Sequence, residues 1–299
     1  MIPAMVLAAG LGSRLRPLSD VCPKPLVPVG DRPALAHVLD RLAAGGVSRV
    51  VVNAHHGLPQ MERFVAGRSG VALSREAELL GTAGGVSFAG PLLDEGLGAG
   101  DVLVWNADIL VDLDPRQLVA DHAGAPARDA TLVVQRRQRG QGSVGLDGEG
   151  RIVRLRGERV ADEAHGGEFL GVHMLGAGLR ARLPKRGCLV GDLYIPAMQA
   201  GARLQAWVWT GTFFDIGSVA TYLTANLAWL SARGLDAWVG PGARVSTDVS
   251  LRRTLVGEGA SVRGAGLLDA CVVWPGVSVA APMSATVAAP GRLVRVPPC

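Results

Sequence analysis

Lysine is nearly missing from this chain: only Lys24 and Lys185 occur, so 28 of the 30 basic residues are arginine. Each lysine therefore needs its own reason. Cysteine is scarce as well, and Cys22, Cys188, Cys271 and Cys299 are scattered with no Cys-x-x-Cys spacing. That pattern excludes a zinc ribbon and a disulfide framework, and points to free thiols in a reducing compartment. No apolar run approaches the roughly 18 residues of a membrane span. Met1 to Ala9 leads straight into a glycine loop without the basic and apolar regions of a signal peptide, so the expectation is a cytoplasmic protein with no membrane partner. Acidic excess is absent too: the net charge is +4, but the basic residues are dispersed and only Arg136, Arg137 and Arg139 cluster, so no nucleic-acid partner is expected. Glycine (41) and proline (18) stay below the roughly 25–30% that marks low complexity. The 299 residues, 48% of them apolar, suffice for one large domain and something smaller.

What is present alternates strand and helix. Ala4 to Ala9 reads as a buried strand followed by glycines and a helix from Ala34 to Ala44; Arg49 to Asn53 reads as a strand before a helix near Pro59 to Ala66. Asp101 to Trp105 is a third strand, with Asn106-Ala107-Asp108 at its carboxyl edge. Strands at Thr131 to Gln135, Arg151 to Leu155 and Phe169 to Met174 follow, then helices near Asp192 to Ala200 and Val219 to Ser231. This is an α/β domain over residues 1–232, a Rossmann-like mixed, mostly parallel sheet flanked by helices. From residue 233 the texture changes. Val239, Val245 and Leu251 recur at six, and after a one-residue slip Val256, Val262, Leu268, Trp274, Ala280 and Thr286 continue at six. Hexads with small residues between them read as a short parallel β-helix over residues 233–299, whose end is a surface for self-association into a homo-oligomer.

Gly10-Leu11-Gly12-Ser13-Arg14-Leu15 follows the first strand, where open α/β sheets hold their ligands. The dinucleotide fingerprint fails because Leu15 stands at the third glycine, and no Gly-Lys-Ser/Thr exists for a Walker loop. What remains is a turn whose backbone N–H groups can approach a polyphosphate, with Arg14 able to make bidentate phosphate contacts. The plain alternative is a tight turn with a surface arginine. Pro23-Lys24-Pro25 stiffens the chain around one ammonium, which suits a point charge aimed at a phosphoryl group.

The stretch from Leu7 to Val29 resembles the signature loop of the sugar-1-phosphate nucleotidyltransferases, the nucleotide-diphosphate-sugar pyrophosphorylases. Gly81-Thr82-Ala83-Gly84-Gly85, Asn106-Ala107-Asp108, Phe169-Leu170-Gly171-Val172-His173 and Phe214-Asp215-Ile216-Gly217-Ser218 resemble further family segments in family order. The resemblance implies the nucleotidyltransferase fold, with the left-handed β-helix that many members carry. It also implies transfer of a nucleotidyl group from an NTP to a sugar 1-phosphate with release of pyrophosphate. By that resemblance Arg14 and Lys24 are catalytic, Ala8, Gly10, Gly12, Ser13, Gly81, Thr82 and Asn106 bind the nucleotide, and Asp108 and Asp215 hold Mg²⁺. Gly142, Glu158, Arg159 and Gly171 fall near sugar-phosphate positions. A helix start capped by Thr82, and helix-capping aspartates at 108 and 215, are the competing local readings.

Two departures stand out. Ala107-Asp108 replaces the usual Gly-Asp, and Arg156-Gly157-Glu158-Arg159 stands where several members have Glu-Lys-Pro, with Arg159 a candidate substitute cation of different geometry. Overall the resemblance leans to the mannose-1-phosphate guanylyltransferase-like group. The alternatives are an N-acetylmuramate or N-acetylglucosamine-1-phosphate uridylyltransferase, a non-catalytic nucleotide-sugar-binding subunit and, on the hexads alone, an acyltransferase module with too few coils. His55 and His56 are adjacent and so point to opposite faces, which favours a structural role over a shared metal. Trp207 and Trp209, at strand spacing, are expected to pack in the core.

Overall fold

The computed structural model describes residues 2–125 and 128–297, so Cys299 lies outside the described residues, while Cys22, Cys188 and Cys271 are free thiols. The chain forms two compact units that interleave in sequence. One comprises Met1–Gly10 and Val38–Phe213; the other comprises Leu11–His37 and Phe214–Cys299.

The first unit is built on a mixed sheet. Strands β1 (Ala4–Leu7), β2 (Val50–Ala54), β3 (Val71–Arg75) and β4 (Val102–Asn106) run parallel in the order β3-β2-β1-β4. β1 and β2 are buried along nearly their whole length, and their sequences are apolar but for Asn53. Beyond β4 the sheet turns antiparallel through β9 (His165–Leu175), which also pairs with β5 (Ala130–Arg137) and β6 (Val144–Leu146); β7 (Ile152–Leu155) and the two-residue β8 (Glu158–Arg159) complete that edge, and β10 (Leu204–Val208) runs parallel to β5. β9 pairs with β4 only over Val172–Leu175. Its first half therefore runs on past the carboxyl end of β4, carrying β6, β7 and β8 with it as an overhang.

The expected strand Ala4 to Ala9 ends at Leu7, because the Ala8 N–H donates to the Asn53 side chain (2.6 Å) instead of a ladder. The helix expected from Asp192 begins as a π-helical turn, Leu189–Tyr194, continued by Ile195–Gln199. Helix α1 (Ala34–Ala44) has the expected bounds. Trp207 and Trp209 are half-exposed and stack on each other with centroids 6.0 Å apart, so they are not the core residues the spacing suggested. His55 binds the Glu76 carbonyl oxygen through Nδ1 (3.0 Å), in keeping with a structural role.

In the second unit α2 (Val219–Ser231) starts from a reciprocal Ser218–Thr221 capping box and is followed by parallel coils. The coils stack in the columns Val239–Val256–Val273, Val245–Val262–Val279 and Leu251–Leu268–Met283, with Val256, Val262, Leu268, Val273 and Val279 buried in the core and Val239 exposed. The first steps are 17 residues, not 18, because the one-residue slip after Leu251 recurs after Leu268. Val273 and Val279 thus replace the expected Trp274 and Ala280 in these columns, and a last step of 15 residues puts Met283 where Thr286 was expected.

Candidate active site

In the second unit the glycine loop bends at Gly12, whose φ of +64° is left-handed and favours glycine. Its carbonyl accepts from the Leu15 N–H (2.9 Å) and the Ser19 hydroxyl (2.8 Å), closing a short 3-10 turn over Ser13–Leu15. A Cβ on Gly12 would lie 3.1 Å from the Cβ of Lys24. Glycine turn and lysine stem, twelve residues apart in sequence, are thus in contact, and Lys24 is fixed at the start of its own turn, Lys24–Leu26. Gly10, Ser13 and Arg14 are exposed. The Arg14 guanidinium reaches the backbone beside Asp215: a Cβ on Gly217 would lie 3.2 Å from an Arg14 terminal nitrogen and 2.8 Å from Asp215 Oδ1. Arg14 and Asp215 therefore converge on one spot. Behind the loop, the Trp274 indole N–H donates to the Tyr222 hydroxyl (2.9 Å), which donates to the Pro28 carbonyl (2.5 Å).

In the first unit the Ala8 N–H is committed to Asn53, so Ala8 offers a ligand no donor of its own. The Asn53 amide donates in turn to Glu76 Oε1 (2.6 Å), and Glu76 Oε2 accepts from the Leu80 N–H (3.3 Å). Asn53 and Glu76 are 3% and 4% exposed, a buried polar tie between the end of β1 and the start of the helix Gly81–Phe88. Sequence reasoning missed both residues; the signal was Asn53, the lone polar side chain of the buried run Val50–Ala54. Thr82 does not cap its own helix. Its hydroxyl accepts from the Leu189 N–H (2.8 Å), while the Ala83 N–H donates to the Gly187 carbonyl (2.9 Å), docking the 187–189 segment on the helix start.

Asn106 ends β4 and Asp108 lies in the turn after it. A Cβ on Gly171 would meet Asn106 Nδ2 at 2.4 Å, so glycine is required where β9 crosses that edge. Gly142 lies on the overhang, its carbonyl accepting from Arg154 (3.0 Å). Asn106, Asp108, Gly171 and Gly142 thus gather at the carboxyl edge and the overhang above it.

Glu158 and Arg159 lie on β8, the outermost strand, four spacings or about 19 Å from β4. Glu158 accepts from Gln199 (3.3 Å), and Arg159, its side chain 46% exposed, pairs with Glu163 at 3.7 Å. The expected substitute cation is therefore turned to a structural carboxylate at the far edge. Glu163 is wholly buried and also takes the Arg154 guanidinium at 2.6 Å. Arg156, which sequence reasoning passed over, forms the turn between β7 and β8 with φ +55°. Its terminal nitrogen lies 3.3 Å from Cys188 Sγ. Partial burial would push the Cys188 thiol up, but N–H groups of Gly191 and Val190, the Thr82 hydroxyl and the Arg156 charge bring it below its usual value.

Among the described residues no group of three or more His, Cys, Asp or Glu side chains forms a ready cation cage, and no helix is long and apolar enough to cross a membrane. A mannose-1-phosphate guanylyltransferase of Mycobacterium tuberculosis is 30% identical over 301 residues, covering 94% of this chain and 82% of that protein. The mannose-1-phosphate guanylyltransferase catalytic subunit beta of Drosophila pseudoobscura pseudoobscura is 28% identical, covering 87% of this chain and 71% of its own length. Among solved structures, HddC from Yersinia pseudotuberculosis complexed with GMP-PN superposes with a TM-score of 0.63 at 22% identity, over 77% of this chain and all of that one, a likeness of fold. Residues 3–231 match the family described as Nucleotidyl transferase, and with that match across most of its length the chain belongs to the nucleotidyl transferase family.

Proposed function

We propose that the protein joins an NTP to a sugar 1-phosphate, with GTP and mannose 1-phosphate the leading pair. A phosphate oxygen of the sugar attacks the α-phosphorus; the new P–O bond forms as the α–β bridge breaks, and pyrophosphate leaves with the bridging oxygen. Such a reaction needs positioning and charge neutralisation more than a covalent nucleophile. The observation that carries this reading is the contact of the Lys24 stem with the Gly12 turn, which brings the lysine of the loop beside its glycine turn. Gly10, Gly12 and Ser13 offer backbone to the triphosphate, Lys24 meets charge growing at the α-phosphate, and Arg14 steadies the leaving pyrophosphate. Gly81 and Thr82, with Asn106, lie on the nucleotide side; Ala8 acts by position alone. Gly142 and Gly171 face the sugar phosphate.

Asp108, in the turn after β4, and Asp215, the last residue of the strand Phe213–Asp215, supply hard carboxylate oxygens, a donor set that suits Mg²⁺, whose charge would neutralise phosphate oxygens when bound. We place the activity in the cytoplasm, assign catalysis to residues 1–232, and read the coils after residue 232 as a surface for self-association.

Pyrophosphate release with Mg²⁺ tests this, crossing GTP, UTP, dTTP, CTP and ATP against mannose, glucose, N-acetylglucosamine and N-acetylmuramate 1-phosphates. Release that needs both partners is the expected result. UTP with N-acetylmuramate or N-acetylglucosamine 1-phosphate as the working pair would move the assignment to uridylyl transfer. Binding of a nucleotide sugar without turnover by any pair would make the protein a sensor.

A further inference from the structure

The β7–β8 hairpin carries three arginines, and two of them are spent. Arg154 is buried against Glu163 and donates to the carbonyl oxygens of Gln141, Gly142, Val144 and Arg156; Arg159 pairs with the same Glu163. Arg156 has no carboxylate partner among the described residues, and its only side-chain contact of hydrogen-bond length is the Cys188 sulfur. A thiol is a weak acceptor, so this contact leaves the guanidinium able to change partners at little cost.

Its position is constrained on both sides. The Arg156 N–H donates to the Ser143 carbonyl (2.8 Å), which ties the turn to the Gly142–Ser143 loop of the overhang. On the other side Cys188 immediately precedes Leu189, whose N–H is held by Thr82. The left-handed backbone at Arg156 sets the direction of its side chain, which spans from the overhang to the segment docked on the nucleotide-side helix. The one uncompensated cation of the hairpin therefore sits between two segments assigned to the two substrates.

We propose that Arg156 is the residue that grips the phosphate of the sugar 1-phosphate, leaving the Cys188 sulfur for two phosphate oxygens when that substrate binds. This rests on the function proposed above. A planar guanidinium suits a terminal phosphate dianion through paired N–H···O contacts, which the sulfur cannot offer. Cys188 then becomes a built-in reporter: it is the described thiol held below its usual value, whereas burial pushes Cys22 up to about 11 and raises Cys271. Bound phosphate withdraws the arginine and covers the sulfur, so Cys188 should react more slowly.

Two measurements test it. In the first, Cys188 alkylation by iodoacetamide is followed by peptide-resolved mass spectrometry. Mannose 1-phosphate or the best sugar 1-phosphate should slow it by about fivefold or more, and free mannose should leave it unchanged. In the second, Arg156→Ala should raise KM for the sugar 1-phosphate by about 30-fold while KM for the NTP and kcat stay within about twofold, and Arg156→Lys should recover part of the loss. An unchanged sugar-phosphate KM in Arg156→Ala, equal rises in both KM values, or protection by free mannose as strong as by its phosphate would each overturn the proposal. Should Arg156→Ala fail to fold, the alkylation result on the unaltered protein decides. The two readings also fail separately: phosphate-specific protection without turnover keeps Arg156 and sinks the enzyme, and turnover without protection does the reverse.

Discussion

At the scale of single residues, the proposed chemistry rests on groups outside the buried apolar core. Lys24→Ala and Asp215→Ala should each lower kcat by about 100-fold or more, with far-UV circular dichroism and Tm close to those of the unaltered protein. Rates within a few-fold in either variant would remove that residue's role. His173 is the opposite case. It lies on β9 in the core, both ring nitrogens lack a partner among the described residues, and its ring meets that of Tyr194 edge-on at 5.5 Å. Burial pushes its pKa down to about 3 from the ordinary 6.5. The unfolded chain therefore binds a proton that the native state refuses, and stability falls as pH drops from about 6.5 toward 3. Urea unfolding at pH 7 and pH 4.5 should show His173→Phe losing about 2 kcal/mol less on acidification than the unaltered protein. Equal acid losses would show that His173 is not the acid-labile group. None of this was legible beforehand: His173 reads as one more residue of an apolar strand, and only β9's depth in the sheet makes it costly to protonate.

At the scale of elements, local signals were read well where the chain satisfies itself. α1 and α2 have the expected bounds because an apolar stripe and, for α2, a cap lie within each segment. The solenoid was legible as a repeat but not in phase, because the corners that shorten its coils have no strong signal of their own. Val279 points inward, 9% exposed, whereas Ala280 is exposed. Val279→Asp should cost about 3 kcal/mol or more and Ala280→Asp less than about 0.5, measured by thermal or urea unfolding. The reverse order would restore the strict six-residue phase. In the overhang, the wholly buried Glu163 holds Arg154 and also accepts from the Gly140 N–H (2.6 Å). Glu163→Ala leaves a buried guanidinium unpaired and should destabilise by about 3–5 kcal/mol in the same assay.

At the scale of the molecule, the chain divides by contacts rather than by sequence order. The loop of Gly12 and Lys24 belongs to the same compact unit as the coils, and the Trp274–Tyr222–Pro28 hydrogen bonds run from coil to helix to the segment after Lys24. Tyr222 is fully buried and burial raises its pKa, so it stays protonated and able to donate. Ending the chain at residue 232 should therefore cost at least about tenfold in turnover, even though every proposed catalytic residue remains. Full activity in that truncated chain would show that the coils serve association alone.

The sequence by itself determined what depends on neighbours along the chain: the strand-to-glycine-loop turn, the proline-flanked lysine, the alternation of strand and helix, and the repeat. Tertiary structure decided what depends on residues far apart. It joined Ala8 to Asn53 and Asn53 to Glu76, turned Arg159 to Glu163 at the sheet edge, set Arg156 against Cys188 and reset the coil to 17 residues. The physical reason is that a polar side chain pairs with whichever group the fold brings within its reach, and strand pairing across tens of residues makes that choice.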